Sequence, residues 1–186
     1  LQMDGRRLVH NAIHYLVHHR EVCTCMPSSV LYSVMASAKI GLDFVAGHAF
    51  LRVNAAKDAD GRIMHHYATF MAGYQGLVTV LGRNGVHATA QAVHAHDVLE
   101  LDYLEYSRTV FRPARHNRGE LDGGIAFFRD VRDRAIIHME YMSDEECRAI
   151  ARHSFSDAWR EWPDQMYRKS PIIRGFKLVP KVNDQL

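Results

Sequence analysis

Cysteine is scarce: the chain of 186 residues holds three, Cys23, Cys25 and Cys147. An odd count, with Cys23 and Cys25 separated by one residue, cannot make a disulfide framework. That points to a reducing compartment or to a thiol kept for chemistry. Proline is sparse too, and no low-complexity tract, internal repeat or linker divides the chain, so its length predicts one domain over residues 1–186. No run reaches the ~18 consecutive apolar residues of a membrane span, and the opening LQMDGRRLVH lacks the apolar core of a secretory signal. An excess of either charge is missing as well: 23 basic and 21 acidic residues leave a net charge of +2, which calls for neither nucleic acid nor a membrane surface. These absences predict a cytoplasmic protein, or a secreted effector without a recognisable signal peptide, with no membrane and no nucleic-acid partner.

Histidine is the residue in excess, with 13 copies. Apolar residues at helical spacing (Leu8, Val9, Ile13, Leu16, Val17) predict a helix over 4–19. A second helix is predicted to open near TCMPSS, with Thr24 as cap and Pro27 in the first turn, and to stop at Gly41. Its run of Ser29, Ser33, Ala36, Ser37 and Ala38 suggests a buried central helix. DFVAGHAFLRV then alternates as a strand, Asp60-Gly61 makes a hairpin turn, and IMHHYATFMAGY returns. GLVTVLG reads as a further strand. Residues 89–105 fit strand or helix equally, and RTVFRPARHNRGELDGG reads as a loop. Ser143 with Glu146 forms a capping box that opens a helix ended by Pro163, and the proline-containing tail is expected to lie extended. The class is α+β, with N-terminal helices packed on an antiparallel sheet and a C-terminal helix.

A thiol at a helix N-terminus meets unpaired amides and the positive dipole end, which favour the thiolate. Cys25 lies just before Pro27, and His48 sits on the strand that follows the helix. A short connection could bring that strand back across the helix start, which makes a thiolate–imidazolium pair conceivable.

Cys25 opening a helix, Ser29 four residues on, Gly41, then GHAFLRV on a strand followed by a hairpin resembles the core of the transglutaminase-like, or papain-like, cysteine enzymes. Within that class, CMPSS and HAF are nearest the motifs of the transglutaminase-like leader peptidases of lasso-peptide pathways. The resemblance covers about residues 20–70. It implies a catalytic core over about 20–85, with residues 125–186 as a helical extension and tail, and a papain-like fold. It also implies a thiol hydrolase or acyltransferase acting on an amide or acyl bond of a protein or peptide, without a cofactor. Cys25 would be the nucleophile and His48 the base, with Cys23 a backup nucleophile or resolving thiol. The family places an aspartate on the next strand, yet RIMHHYATF has no carboxylate. His66, or His65 in its place, is then the orienting candidate, and Asp97 or Glu100 could supply a carboxylate from elsewhere.

Two alternatives come from the residues themselves. His10, His14 and His18 share one helix face and lie near Cys23 and Cys25, as a metal-binding protein would arrange them. His87, His94 and His96 form a second such cluster, although no H-E-x-x-H pattern or second cysteine pair accompanies either, so no metal ligand is assigned. The other alternative is a non-catalytic interaction or effector module. Arg108, Arg112, Arg115 and Arg118 make a basic loop, but no aromatic platform stands beside them in the sequence, so the loop is expected to be merely solvated.

Overall fold

The computed structural model describes residues 4–45, 47–154 and 157–179. They group into two compact units whose boundary falls between Val80 and Leu81.

In the N-terminal unit, helix α1 (Gly5–His18) starts at Asp4, whose carboxylate accepts from the Arg6 amide at 2.9 Å. A 3-10 turn over Arg20–Thr24 leads into α2 (Pro27–Lys39). Pro27 takes the first helical position, where its missing N–H costs nothing. The cap position is Met26 rather than Thr24, whose hydroxyl instead donates to the Glu21 carbonyl at 2.7 Å. Gly41, at φ +66°, reverses the chain so that the Leu42 amide donates back to the Ser37 carbonyl.

Strands β1 (Ala49–Lys57) and β2 (Ile63–Ala72) form an antiparallel hairpin, with Ala49 opposite Ala72 and Ala55 opposite His66. Ser29, Ser33 and Ser37 recur every four residues and turn toward this unit's interior. The Ser33 hydroxyl donates to the Ala68 carbonyl at 3.1 Å, and the Ala68 amide donates to the Ser29 oxygen at 2.9 Å. The small residues therefore let α2 approach β2 closely. They do not bury the helix all round, because Leu31, Tyr32 and Met35 remain exposed on its other side.

The stretch read as a strand, GLVTVLG, is instead part of helix α3 (Tyr74–Arg83). Its β-branched residues suggested a strand, but Leu77, Val80 and Leu81 fall at i, i+3 and i+4, and Val80 and Leu81 are buried. Gly73 makes the helix entry possible, since a Cβ there would come within 2.0 Å of the Gly47 carbonyl.

The C-terminal unit holds β3 (Val86–His94), the short pair β4 (Val98–Glu100) and β5 (Val110–Arg112), then β6 (Leu121–Asp130) and β7 (Ile136–Ser143). The larger sheet runs in the order β3–β6–β7, all antiparallel. Helices α4 (Asp144–Arg152), α5 (Ala158–Glu161) and α6 (Pro163–Phe176) follow. The capping box forms as the sequence predicts, with the Glu146 amide donating to Ser143 and the Ser143 amide donating to Glu146.

Of the tail expected to lie extended, residues 168–176 belong to α6, with Pro171 inside it, and residues 180–186 lie outside the described residues. Proline removes a donor and leaves the carbonyl four residues earlier, that of Tyr167, without its helical partner. Gly124 on β6 answers this, because a Cβ there would come within 2.0 Å of that carbonyl. Only a glycine lets the sheet lie so close to the interrupted helix.

The class is thus α+β with antiparallel sheets and several helices, as predicted. It is not a papain-like core: the strand after α2 belongs to a two-stranded hairpin, and the larger sheet lies in the other unit. Among the described residues, no helix is long and apolar enough to cross a membrane.

Candidate functional site

The sequence assigned a site to Cys25, His48 and His66, and the strand register separates them. Cys25 forms a parallel bridge with His66, and the next amide, Met26, donates to the His66 carbonyl at 2.9 Å. His48 lies at the other end of the hairpin, where its carbonyl accepts from the Gly73 amide. Seven residues of strand between positions 66 and 73 span roughly 20 Å, beyond the reach of a thiol and an imidazole. Cys25 is buried, at 6% exposure, and sits before the cap residue rather than in the first turn of α2. Burial, with a smaller contribution from Cys23, pushes its thiol up in pKa, opposite to an activated nucleophile.

The backups fare no better. Cys23 is exposed and free, His65 is exposed on the opposite side of β2 from His66, and Asp97 is committed elsewhere. Burial alone would raise Asp97, but Arg118 and the amides of Ala114 and His94 bond its two oxygens and hold it down at about 2.

The metal reading also fails on geometry: among the described residues no three His, Cys, Asp or Glu side chains converge as an ion requires. His14 and His18 meet edge to face, with ring centroids 4.4 Å apart.

The side of the hairpin facing away from α2 has a different character. Alternation along paired strands puts Phe50 beside Met71, Arg52 beside Thr69, Asn54 beside Tyr67, and Ala56 beside His65. Phe50 and Met71 are 42% and 45% exposed, and Arg52, Thr69 and His65 are exposed as well. The Asn54 amide donates to the Thr69 hydroxyl at 2.8 Å, which fixes the middle of the face, and the His65 and Tyr67 rings lie 6.4 Å apart. Neither strand contains an aspartate or glutamate. Among the described residues, no ion pair joins Arg52 to a carboxylate.

At the Phe50 end the face meets a pocket of about 220 Å³ lined by His14, Tyr15, His18, His19, Phe44, Val45 and Ala49. Tyr15 stacks on His19 at 4.0 Å, and its hydroxyl accepts from the Leu51 amide, so α1 is tied to β1 at this point. Asp43, also part of this joint, accepts from Asn11 at 2.6 Å and from Arg7 at 3.1 Å. Open aromatic rings, a guanidinium and hydrogen-bonding side chains without an anion can stack flat rings and neutralise a phosphate. The sequence reading missed this face because its members are contributed alternately by two strands. The available signal was the period-two placement of Phe50, Arg52 and Asn54 against Tyr67, Thr69 and Met71.

No curated relative matches the chain. The RecT family model matches residues 7–186, nearly the whole sequence. This overturns the resemblance to transglutaminase-like and papain-like enzymes, and with it the thiol protease, hydrolase and transferase readings. The metal-binding and effector alternatives gain no support from it either. The expectation of a protein or peptide substrate and no nucleic acid is corrected too, because RecT proteins bind single-stranded DNA. The short motifs CMPSS and GHAF carried the earlier resemblance over about residues 20–70, whereas this match extends through both units: the chain belongs to the RecT family.

Proposed function

We propose that this protein binds single-stranded DNA along the open face of the β1–β2 hairpin and anneals complementary strands in recombination. The family is one of single-strand annealing proteins, and the observation that carries the site assignment is the carboxylate-free face of Phe50, Arg52, Asn54, Tyr67, Thr69 and Met71. Stacking on aromatic rings is sequence-tolerant, because every base has a π-face, and Arg52 supplies a contact for the phosphate chain. Bases held by their faces and backbone keep their pairing edges free, which is what annealing to a second strand requires. The pocket beside Phe50 is a seat for a base at the end of the face. In this reading Cys25 and His66 have a structural role, tying the 3-10 turn to β2, and His48 shapes the entry into β1. The setting is the cytoplasm, where such proteins act.

The test is annealing of two complementary oligonucleotides carrying a fluorescence donor and acceptor. The wild-type protein accelerates the transfer signal, and the double variant Phe50→Ala, Arg52→Ala loses most of that acceleration while melting as a folded protein. An equally active double variant would remove the hairpin face from the site.

A further inference from the structure

The β3–β6–β7 sheet of the C-terminal unit has one face packed on α6 and α4, with Phe128 and Gly124 turned toward them. On the other face, Val93, Ile125 and Met139 are covered by residues of the β4–β5 pair and its loop, including Leu99, Tyr106 and Phe111. Phe127 packs against the same cluster, and the face opens toward His87 and Gln91. There, strand pairing sets Thr89 beside Phe127 and His87 beside Arg129, with Gln91 next along β3. His87 and Gln91 are exposed, and Thr89, Phe127 and Arg129 are half-buried.

Arg129 is held by an aromatic ring and a hydroxyl rather than by a carboxylate. Its guanidinium carbon lies 5.1 Å from the centre of the Phe127 ring, and one of its nitrogens donates to the Thr89 hydroxyl at 3.4 Å. Arg118, Arg132, Arg148 and Arg174 each pair with a carboxylate, on Asp97, Asp130, Asp144 and Glu140 respectively. Among the described residues no such ion pair joins Arg129 to an acid. Alternation explains why: the acids of these strands, Asp122, Asp130 and Glu140, fall on the opposite face, and β3 has none. The bulge between Phe128 and Arg129 on the β7 side frees the end of the strand to aim this side chain.

A guanidinium over an aromatic ring keeps donors at its edge for a further partner. A base can stack beside such a pair while the edge reaches a phosphate. We propose that Phe127, Arg129, Thr89 and His87 form a second contact for single-stranded DNA in the C-terminal unit, an inference that rests on the single-strand-binding reading above. The cation, its aromatic support and the absence, among the described residues, of an acid paired with it favour a nucleotide over an acidic peptide, which would match the charge but offer no ring to stack.

Anisotropy of a labelled oligothymidylate with the full-length chain tests this, with a salt series for each variant. Arg129→Ala is expected to weaken binding about tenfold and to reduce the dependence of log affinity on log salt by roughly one phosphate's share. Arg129→Lys is expected to keep the salt dependence and still lose part of the affinity. A wild-type chain cross-linked to an iodouracil-substituted oligonucleotide should yield a labelled peptide containing Phe127, a readout needing no variant. Wild-type binding that survives Arg129→Ala unchanged, with no cross-link on β3 or β6, overturns the second contact while leaving the hairpin site standing. If the wild-type chain binds no oligonucleotide, the single-strand-binding reading itself has failed.

Discussion

The two sides of the β1–β2 hairpin are built from alternate residues of the same two strands, yet they differ in everything that packing demands. The inner side carries Leu51 and Ala68, both buried, and meets the serines of α2 through short hydrogen bonds to the Ala68 backbone. The outer side carries Phe50, Arg52, Thr69 and Met71 in the open. A stable fold requires only the inner side. Phe50 lies exposed beside Arg52, for which no ion pair is found among the described residues, and this fits the proposed role in binding. The inner face serves stability, and the outer face is the one proposed here for recognition.

The largest effect should come from breaking the inner side. Leu51→Ala removes a buried side chain and should cost about 2–5 kcal/mol of stability in denaturant melts, while the fraction still folded binds DNA normally.

Acid offers a second separation, through a buried ion pair in the C-terminal unit. Asp97 is held at about 2 against an ordinary value of 3.8. Its folded-state pKa is depressed, so its contribution is present above pH 4 and is lost as pH falls toward 2. That contribution is about 2 kcal/mol. An Asp97→Asn variant should flatten the fall in stability over that window. The outer hairpin face, with no carboxylate, adds nothing to it.

On the outer side, Phe50→Ala should weaken single-strand binding by about 1–2 kcal/mol and leave the melting transition within about 1 kcal/mol of wild type. The smallest effect concerns the thiols. Iodoacetamide should modify exposed Cys23 well before buried Cys25, and Cys23 labelling should leave annealing unchanged. Loss of annealing on that labelling would reopen a role for the cysteines.

Local signals were legible where local physics decides. The Ser143–Glu146 box, Pro27 at a helix start, Gly41 at a helix end and the Asp60-Gly61 turn all appear where the sequence puts them. Elements that depend on a distant partner were not. Pro171 argued against a helix, and only Gly124, far away in sequence, makes room for one. The β-branched residues of α3 argued for a strand until burial of Val80 and Leu81 set the period.

The site failed to show for the same reason. Cys25 and His48 looked paired because a short connection was assumed to fold one back on the other, whereas the register places them at opposite ends of the hairpin. The proposed platform draws its members alternately from two strands, and no single stretch of sequence contains it.

The most direct test of the account is the salt dependence of oligothymidylate binding for the wild-type chain and for Arg52→Ala. The account predicts that the variant binds more weakly at low salt and that its log–log slope is shallower by about 0.7, the share of one phosphate contact on a single strand. Identical slopes and affinities for the two proteins would contradict it and send the search for the DNA-binding surface away from the hairpin.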